Sequence, residues 1–179
     1  RGNLKPEELP ESMRQPVRVG KNVVVIGGGD TSMDCVRTAV RLGAEQVTCV
    51  YRRTEEEMRG REEERRHAKE EGVDFLFLTI PLRFLGERGK VKAVECQRME
   101  LGEPDETGRR TPIPVPNSNF ILPADTVVVA IGYGADDRVA KAAPGVEADR
   151  WNLIKVDPET KRTTRPGVFA GGDNVNGAD

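Results

Sequence analysis

The residues of this chain best suited to chemistry lie in one turn, Gly27-Gly28-Gly29-Asp30-Thr31-Ser32, which fits the spacing G-x-G-x-x-S. Gly27 permits a tight exit from a strand, Gly29 lets the backbone come close to a diphosphate, and the small Ser32 lets a following helix lie against a sheet. A helix beginning here offers unpaired N–H groups and the positive end of its dipole, which is chemistry for an anion. A glycine string alone is weak support, but this one stands between the β-branched run "NVVVIG" and the helical pattern "DTSMDCVRTAVRLG". Met33, Val36 and Val40 recur at helical spacing, Asp30 or Thr31 is the expected cap, and Gly43 the expected stop. The turn is therefore read as dinucleotide-binding, with Gly27, Gly28, Gly29, Asp30, Thr31 and Ser32 as candidate contacts.

The second candidate group is arginine. In sites for NAD an acidic residue about 20 positions after the first glycine accepts the ribose hydroxyls. Here "YRRTEEEMRGR" puts Arg52 and Arg53 at that place, 25 and 26 positions after Gly27. Two guanidiniums suit a 2′-phosphate through charge-assisted, bidentate bonds, and one can stack on adenine. Arg59 is the next candidate, with Arg61 able to fold back beside it. Residues 51–71 hold 7 basic and 8 acidic side chains, so Arg65, Arg66 and Lys69 are expected to be a solvated, mutually paired face. Glu55 to Glu57 follow the arginines and are expected on the helix, away from the ribose. A methyltransferase, which shares the first turn, also wants an acid at the second strand's end. A short-chain dehydrogenase needs Tyr-x-x-x-Lys, but Tyr51 is followed at the fourth position by Glu55 and Tyr133 by Asp137.

These residues need a parallel sheet to position them. Residues 22–27, 46–51 and 73–78 read as strands separated by helical segments, a βαβαβ order. "RFLGERGKVKAVECQRMEL" reads as an antiparallel hairpin over 82–100 that turns at "RGK". "GEPDETGRRTPIPVPNSN" is a polar, proline-broken excursion. "ADTVVVAIG" returns to the sheet, and the apolar run near "GVFA" suggests one more short strand. Residues 1–20, with Pro6, Pro10 and Pro16, read as a linker.

Composition limits the alternatives. The 179 residues are 36% hydrophobic and 32% charged, with a formal net charge of −2, so neither nucleic acid nor a membrane surface is an expected partner. No apolar run approaches the roughly 20 residues of a membrane helix, and the polar start is unlike a signal peptide. Cys35, Cys49 and Cys96 form no CxxC, so a redox dithiol of the thioredoxin-reductase kind and a cysteine metal site are both unsupported. They read as free thiols in a reducing, cytoplasmic setting. His67 lies alone in a charged helix and reads as a surface residue. No metal site and no acid–base catalyst is expected.

Four ordered stretches carry a resemblance: "VVVIGGGDTSMDCVRTAVRLGAEQVTCVYRR", "MELGEPDETGRR", "ADTVVVAIGYGAD" and "GVFAGGD". Over about residues 17–179 the chain resembles the small (β) subunit of glutamate synthase and its relatives among pyridine nucleotide-disulfide-oxidoreductase-like flavoproteins. These include the NADPH-binding half of dihydropyrimidine dehydrogenase and the flavoprotein subunit of a ferredoxin:NADP oxidoreductase. The resemblance implies an α/β, Rossmann-like, three-layer ββα domain whose parallel sheet carries an antiparallel crossover insertion, itself inserted into an FAD domain. It implies an NADPH domain over 21–165 and, over 166–179, the return segment of a truncated FAD domain.

The resemblance further implies that Ala130, Ile131 and Gly132 lie near bound NADPH, and that Asp173 meets the flavin's ribityl chain. Hydride would pass from NADPH to FAD, and electrons onward to glutamate synthesis through a large subunit or to another acceptor. The remaining FAD domain is the other implied partner; FAD is not expected to be retained by these residues alone, nor is the fragment expected to be active by itself. The family's iron–sulfur region and first FAD turn have no counterpart here. Where some relatives read "MPG" or "MPA" this chain has Met58-Arg59-Gly60, which leaves Arg59 less secured than Arg52. The other readings carried forward are a non-catalytic NADP-binding regulatory module, an NAD-preferring version, and a module of a ferredoxin:NADP or dihydropyrimidine reductase.

Overall fold

The computed structural model describes residues 7, 10, 11, 18–104, 106, 108, 110–132 and 134–177. Most of the expected 1–20 linker, and Tyr133, lie outside the described residues. The chain forms two compact units, Arg1–Ala130 and Ile131–Asp179.

The first unit is built on a parallel sheet of β1 (Asn22–Ile26), β2 (Gln46–Val50), β3 (Asp74–Leu76) and β7 (Thr126–Val129), in the order β3-β2-β1-β7. Strand β1 is central, with Ile26 opposite Val50 on one side and Val129 on the other. Its β-branched run suits burial on both faces, and both are used. Val23 and Val25 pack with Met33, Val36 and Ala39 of helix α1 (Asp30–Arg41) and Ala68 of helix α2 (Glu62–Glu70). Val24 and Ile26 pack on the opposite face with Val94 and Cys96 of β5 (Lys90–Pro104). Three layers result: helices, parallel sheet and antiparallel sheet. This is the expected ββα arrangement.

Asp125 fixes the register where the chain joins the sheet, its carboxylate accepting the Lys21 N–H at 3.0 Å and the Asn22 N–H at 3.1 Å. Helix α1 ends as expected, with Gly43 at φ +90° and its N–H donated to the Val40 carbonyl at 2.9 Å. Its start differs from expectation. Gly29, in extended geometry, occupies the cap position with no side-chain bond, and Asp30 is already the first helical residue.

The charged stretch after β2 is also not one helix. Glu55–Glu57 form a single 3₁₀ turn, then Met58-Arg59-Gly60-Arg61 run irregularly before α2 begins. The turn is fixed by a capping box: the Glu57 carboxylate accepts the Thr54 N–H at 3.2 Å, and the Thr54 side chain accepts a backbone N–H in return. Met58 interrupts the charge pattern because it is an anchor, 6% exposed in the core.

The antiparallel sheet has three strands: β4 (Thr79–Glu87), β5 and β6 (Arg110–Pro123). The β4–β5 turn is at Arg88-Gly89, both at positive φ, as the "RGK" signal suggested. The third strand corrects the reading of 102–119 as an irregular excursion. β6 is an outer strand, where alternate N–H groups point away from the ladder, so proline leaves no bond unfilled there. Pro112 and Pro114 accordingly sit in register with Leu101 and Met99. Proline was a true signal of an edge and a false one of a loop.

The second unit is lightly structured. It holds α3 (Arg138–Ala142), α4 (Asp173–Asn176) and bridges pairing Ala148 with Ile154, Val156 with Thr163 and Arg162 with Phe169. The strand expected near "GVFA" is thus a single bridge, because no neighbouring strand in that unit offers a ladder. Val146 and Ile154 are its buried apolar residues.

Candidate nucleotide-binding site

In an open parallel sheet ligands bind beyond the carboxyl ends of the strands, where the strand order reverses. Here the order reverses at β1, with β2 on one flank and β7 on the other. The glycine turn leaves β1 at that end. Gly27, at φ +145°, donates its N–H to Val50 at the end of β2 at 3.1 Å. A Cβ on Gly27 would stand 2.2 Å from the Ala130 carbonyl oxygen and 2.4 Å from the Ser32 Oγ. Ser32 is fully buried and its hydroxyl donates to the same Ala130 carbonyl at 3.1 Å. Gly27, Ser32 and Ala130 therefore form one packed joint between β1, α1 and β7.

Gly28 is equally constrained from another direction, since a Cβ there would fall 2.4 Å from the Tyr51 ring. Gly29 is different: a Cβ there would meet nothing within 4 Å. The turn is tight underneath and open on top. At that opening the N–H groups of Gly29, Asp30 and Thr31 have no hydrogen-bond partner among the described residues, while those of Ser32 and Met33 both bond the Gly29 carbonyl. Unpaired N–H groups at the positive end of a twelve-residue helix, beside open space, can hold a diphosphate.

The arginines leave β2 next to this turn. Arg52 and Arg59 are exposed and Arg53 is half-buried. Among the described residues none of the three has an ion-pair partner, although Glu55, Glu56 and Glu57 are close in sequence. Glu55 is instead taken by Lys69 at 2.6 Å and by Arg65, and Glu57 by Thr54. The Arg53 Nε is buried without a hydrogen-bond partner, which costs free energy unless something fills the position. All three guanidiniums act on one phenol: burial raises the Tyr51 pKa, while Arg53, Arg52 and Arg59 pull it down. The arrangement is an open turn of unpaired N–H groups with three arginines beside it that have no ion-pair partner among the described residues.

Sequence reasoning missed the scaffolding of this site. Tyr51 lies against Gly28 and donates its hydroxyl to the Glu57 carbonyl at 2.8 Å. Gly60 donates its N–H to the Gly28 carbonyl at 2.9 Å. The Asp30 carboxylate accepts the Arg61 N–H at 2.9 Å and pairs with the Arg61 Nε at 3.3 Å. Arg65, expected in solvent, has a side chain only 13% exposed, with its Nη1 bonded to the Gly60 carbonyl. The available signals were an aromatic residue directly after the strand and a glycine in the middle of charge.

Ile131, 72% exposed, and Gly132, at φ +85° in open space, belong to the second unit. Asp173, exposed, begins α4 there, after Gly172 at φ +67°. Cys35, Cys49 and Cys96 are free thiols, and burial pushes Cys49 up to about 12 and Cys96 to about 11. Among the described residues no three His, Cys, Asp or Glu side chains cluster as for a metal, and no helix is long and apolar enough to cross a membrane.

The family pattern described as "Pyridine nucleotide-disulphide oxidoreductase" matches residues 2–178. The chain belongs to that family. It is 48% identical to the glutamate synthase [NADPH] small chain of Escherichia coli (strain K12), over 89% of this chain and 35% of that one. It is also 48% identical to the NADP(+)-dependent formate dehydrogenase subunit beta of Moorella thermoacetica, over 92% of this chain and 23% of the relative. The chain thus spans about a third or less of these relatives. Among solved structures, Mycobacterium tuberculosis FprA in complex with NADPH superposes with a TM-score of 0.67 at 19% identity, covering 90% of this chain and 48% of that one. This likeness is one of fold.

Proposed function

We propose that this chain is the NADPH-binding part of a flavin oxidoreductase similar to the glutamate synthase small chain. The observation that carries the reading is the set of three arginines, Arg52, Arg53 and Arg59, without an ion-pair partner among the described residues, beside an open glycine turn. An NAD site would need an acid where Arg52 stands, and the acids nearby are engaged elsewhere. Two relatives, a glutamate synthase [NADPH] small chain and an NADP(+)-dependent formate dehydrogenase subunit, support the same choice.

In this reading the N–H groups of Gly29, Asp30 and Thr31 hold the diphosphate, and Gly27 and Ser32 keep the helix close enough to present them. Arg52 and Arg53 take the 2′-phosphate and the adenine face, with Arg59 closing over them. Ala130, Ile131 and Gly132 border the nicotinamide half. Asp173 contacts the ribityl chain of FAD, for which the residues here supply one edge. The chemistry would be the cofactors' own, a hydride passing from bound NADPH to FAD, and the protein's part is binding, orientation and exclusion of water. The reading assigns no general acid or base among the described residues. The remaining FAD domain and a large glutamate synthase subunit, or another electron acceptor, are the proposed partners.

Anaerobic addition of NADPH to these residues joined to the remaining FAD domain, with flavin bound, tests this directly. Bleaching of the flavin absorbance by NADPH, and much more slowly by NADH, is expected. Flavin that stays oxidised while NADPH binds would favour the regulatory reading instead.

A further inference from the structure

The Met58–Arg61 loop is irregular, yet it is tied down at every residue except one. Met58 is in the core, Gly60 bonds the Gly28 carbonyl, and Arg61 gives its N–H to the Asp30 carboxylate. The fit is close, since a Cβ on Gly60 would come within 3.2 Å of the Gly29 carbonyl carbon. Arg59 is the remaining residue, with an exposed side chain that has no partner among the described residues. An irregular loop carrying a long cation gains specificity only if its backbone is held, because an unheld one spends binding energy on ordering.

We propose that the Asp30 carboxylate is a positioning residue for nucleotide specificity: it holds the 58–61 loop against the glycine turn and so presents Arg59 to the 2′-phosphate. This rests on the NADPH reading above. Asp30 was expected to seat the nucleotide itself, but a carboxylate beside a diphosphate repels it. The structure gives that charge a different task, facing Arg61. The hydrogen bond to the Arg61 N–H is the effective contact, being charge-assisted and backbone-directed. The Arg61 guanidinium, 74% exposed, contributes little.

The proposal separates from a merely structural role through a ratio. Repulsion of the diphosphate by Asp30 affects NADP⁺ and NAD⁺ alike and cancels between them, whereas presentation of Arg59 affects NADP⁺ only. The experiment is calorimetric titration of the protein with the redox-inert pair NADP⁺ and NAD⁺. Asp30→Ala is expected to lower the NADP⁺/NAD⁺ affinity ratio at least about fivefold, with NAD⁺ binding showing that the site is still folded. Asp30→Asn, which keeps an acceptor oxygen, is expected to restore most of the ratio. Arg61→Ala, which keeps the N–H, should leave the ratio within about twofold. In an Arg59→Ala background Asp30→Ala should lower it no further, because the two act as one unit.

A ratio unchanged in Asp30→Ala, or a full additional loss on top of Arg59→Ala, overturns the proposal while leaving the NADPH reading intact. If Arg52→Ala and Arg59→Ala both leave the ratio unchanged, the NADPH reading has failed, and the positioning role with it.

Discussion

Two groups of arginine in the first unit are treated in opposite ways. Between α1 and α2, Arg37 bonds Glu64 and also Glu71 at 2.9 Å, and Arg41 bonds Glu71 at 2.8 Å. At the end of β2, Arg52, Arg53 and Arg59 have no carboxylate partner among the described residues, although Glu55, Glu56 and Glu57 stand between Arg53 and Arg59. Local composition cannot separate the groups, since every one of these arginines has an acidic residue within four positions in sequence. The geometry does: where two helices meet, Arg37 and Arg41 are answered by Glu64 and Glu71, and beside the glycine turn the acids are drawn to Lys69, Arg65 and Thr54. This contrast in pairing is what the proposed nucleotide site rests on.

Several substitutions would break or sharpen this contrast. Replacing Arg52, Arg53 and Arg59 together by alanine should weaken NADP⁺ at least about 100-fold, from about 1.5–3 kcal/mol per charged hydrogen bond with partial redundancy, and spare NAD⁺. The melting temperature should not fall, because no internal pair is lost; a large fall would place these arginines with the structural group. Gly28→Ala, forced against the Tyr51 ring, should weaken NADP⁺ and NAD⁺ equally, by about tenfold, since it disturbs the shared turn. A titration in which only NADP⁺ suffers would move Tyr51 and Gly28 to the 2′-phosphate end.

Arg37→Ala is the mirror case. It should lower the melting temperature and leave both nucleotide affinities unchanged, as read by a thermal melt and the same titrations. The smallest effect expected is on pH. The Arg37 hydrogen bond, helped by Arg41, holds the Glu71 carboxyl below its usual range. Its stabilising contribution is then complete above the unfolded pKa and is lost as pH falls through the lower, folded value. The stability gap between the protein and Glu71→Gln should therefore be present at neutral pH and close below about 4.5. A gap that widened on acidification would contradict the pairing.

The parallel sheet was legible because its strands are apolar runs and its turn must contain glycine at a fixed place. The place of Arg52 and Arg53, just beyond β2, was legible for the same reason, since the end of that strand is a defined position in the βαβ unit. What escaped was set by contacts distant in sequence. Nothing near Asp30 shows that its partner is Arg61, and a capping role is the ordinary expectation for an Asp at a helix start. Strand β6 was hidden because proline was weighed as a breaker without knowing that its strand would lie at an edge. Arg65 was misplaced because a charged helix hides one inward residue among many outward ones.

The most direct test of the central claim is a calorimetric titration of the protein with NADP⁺ and NAD⁺ at low and at physiological salt. The account predicts NADP⁺ binding at least about tenfold tighter, a gap of about 1.4 kcal/mol, narrowing as salt screens the exposed guanidiniums. Equal affinities at both salts would contradict it and return Arg52, Arg53 and Arg59 to the status of surface charge.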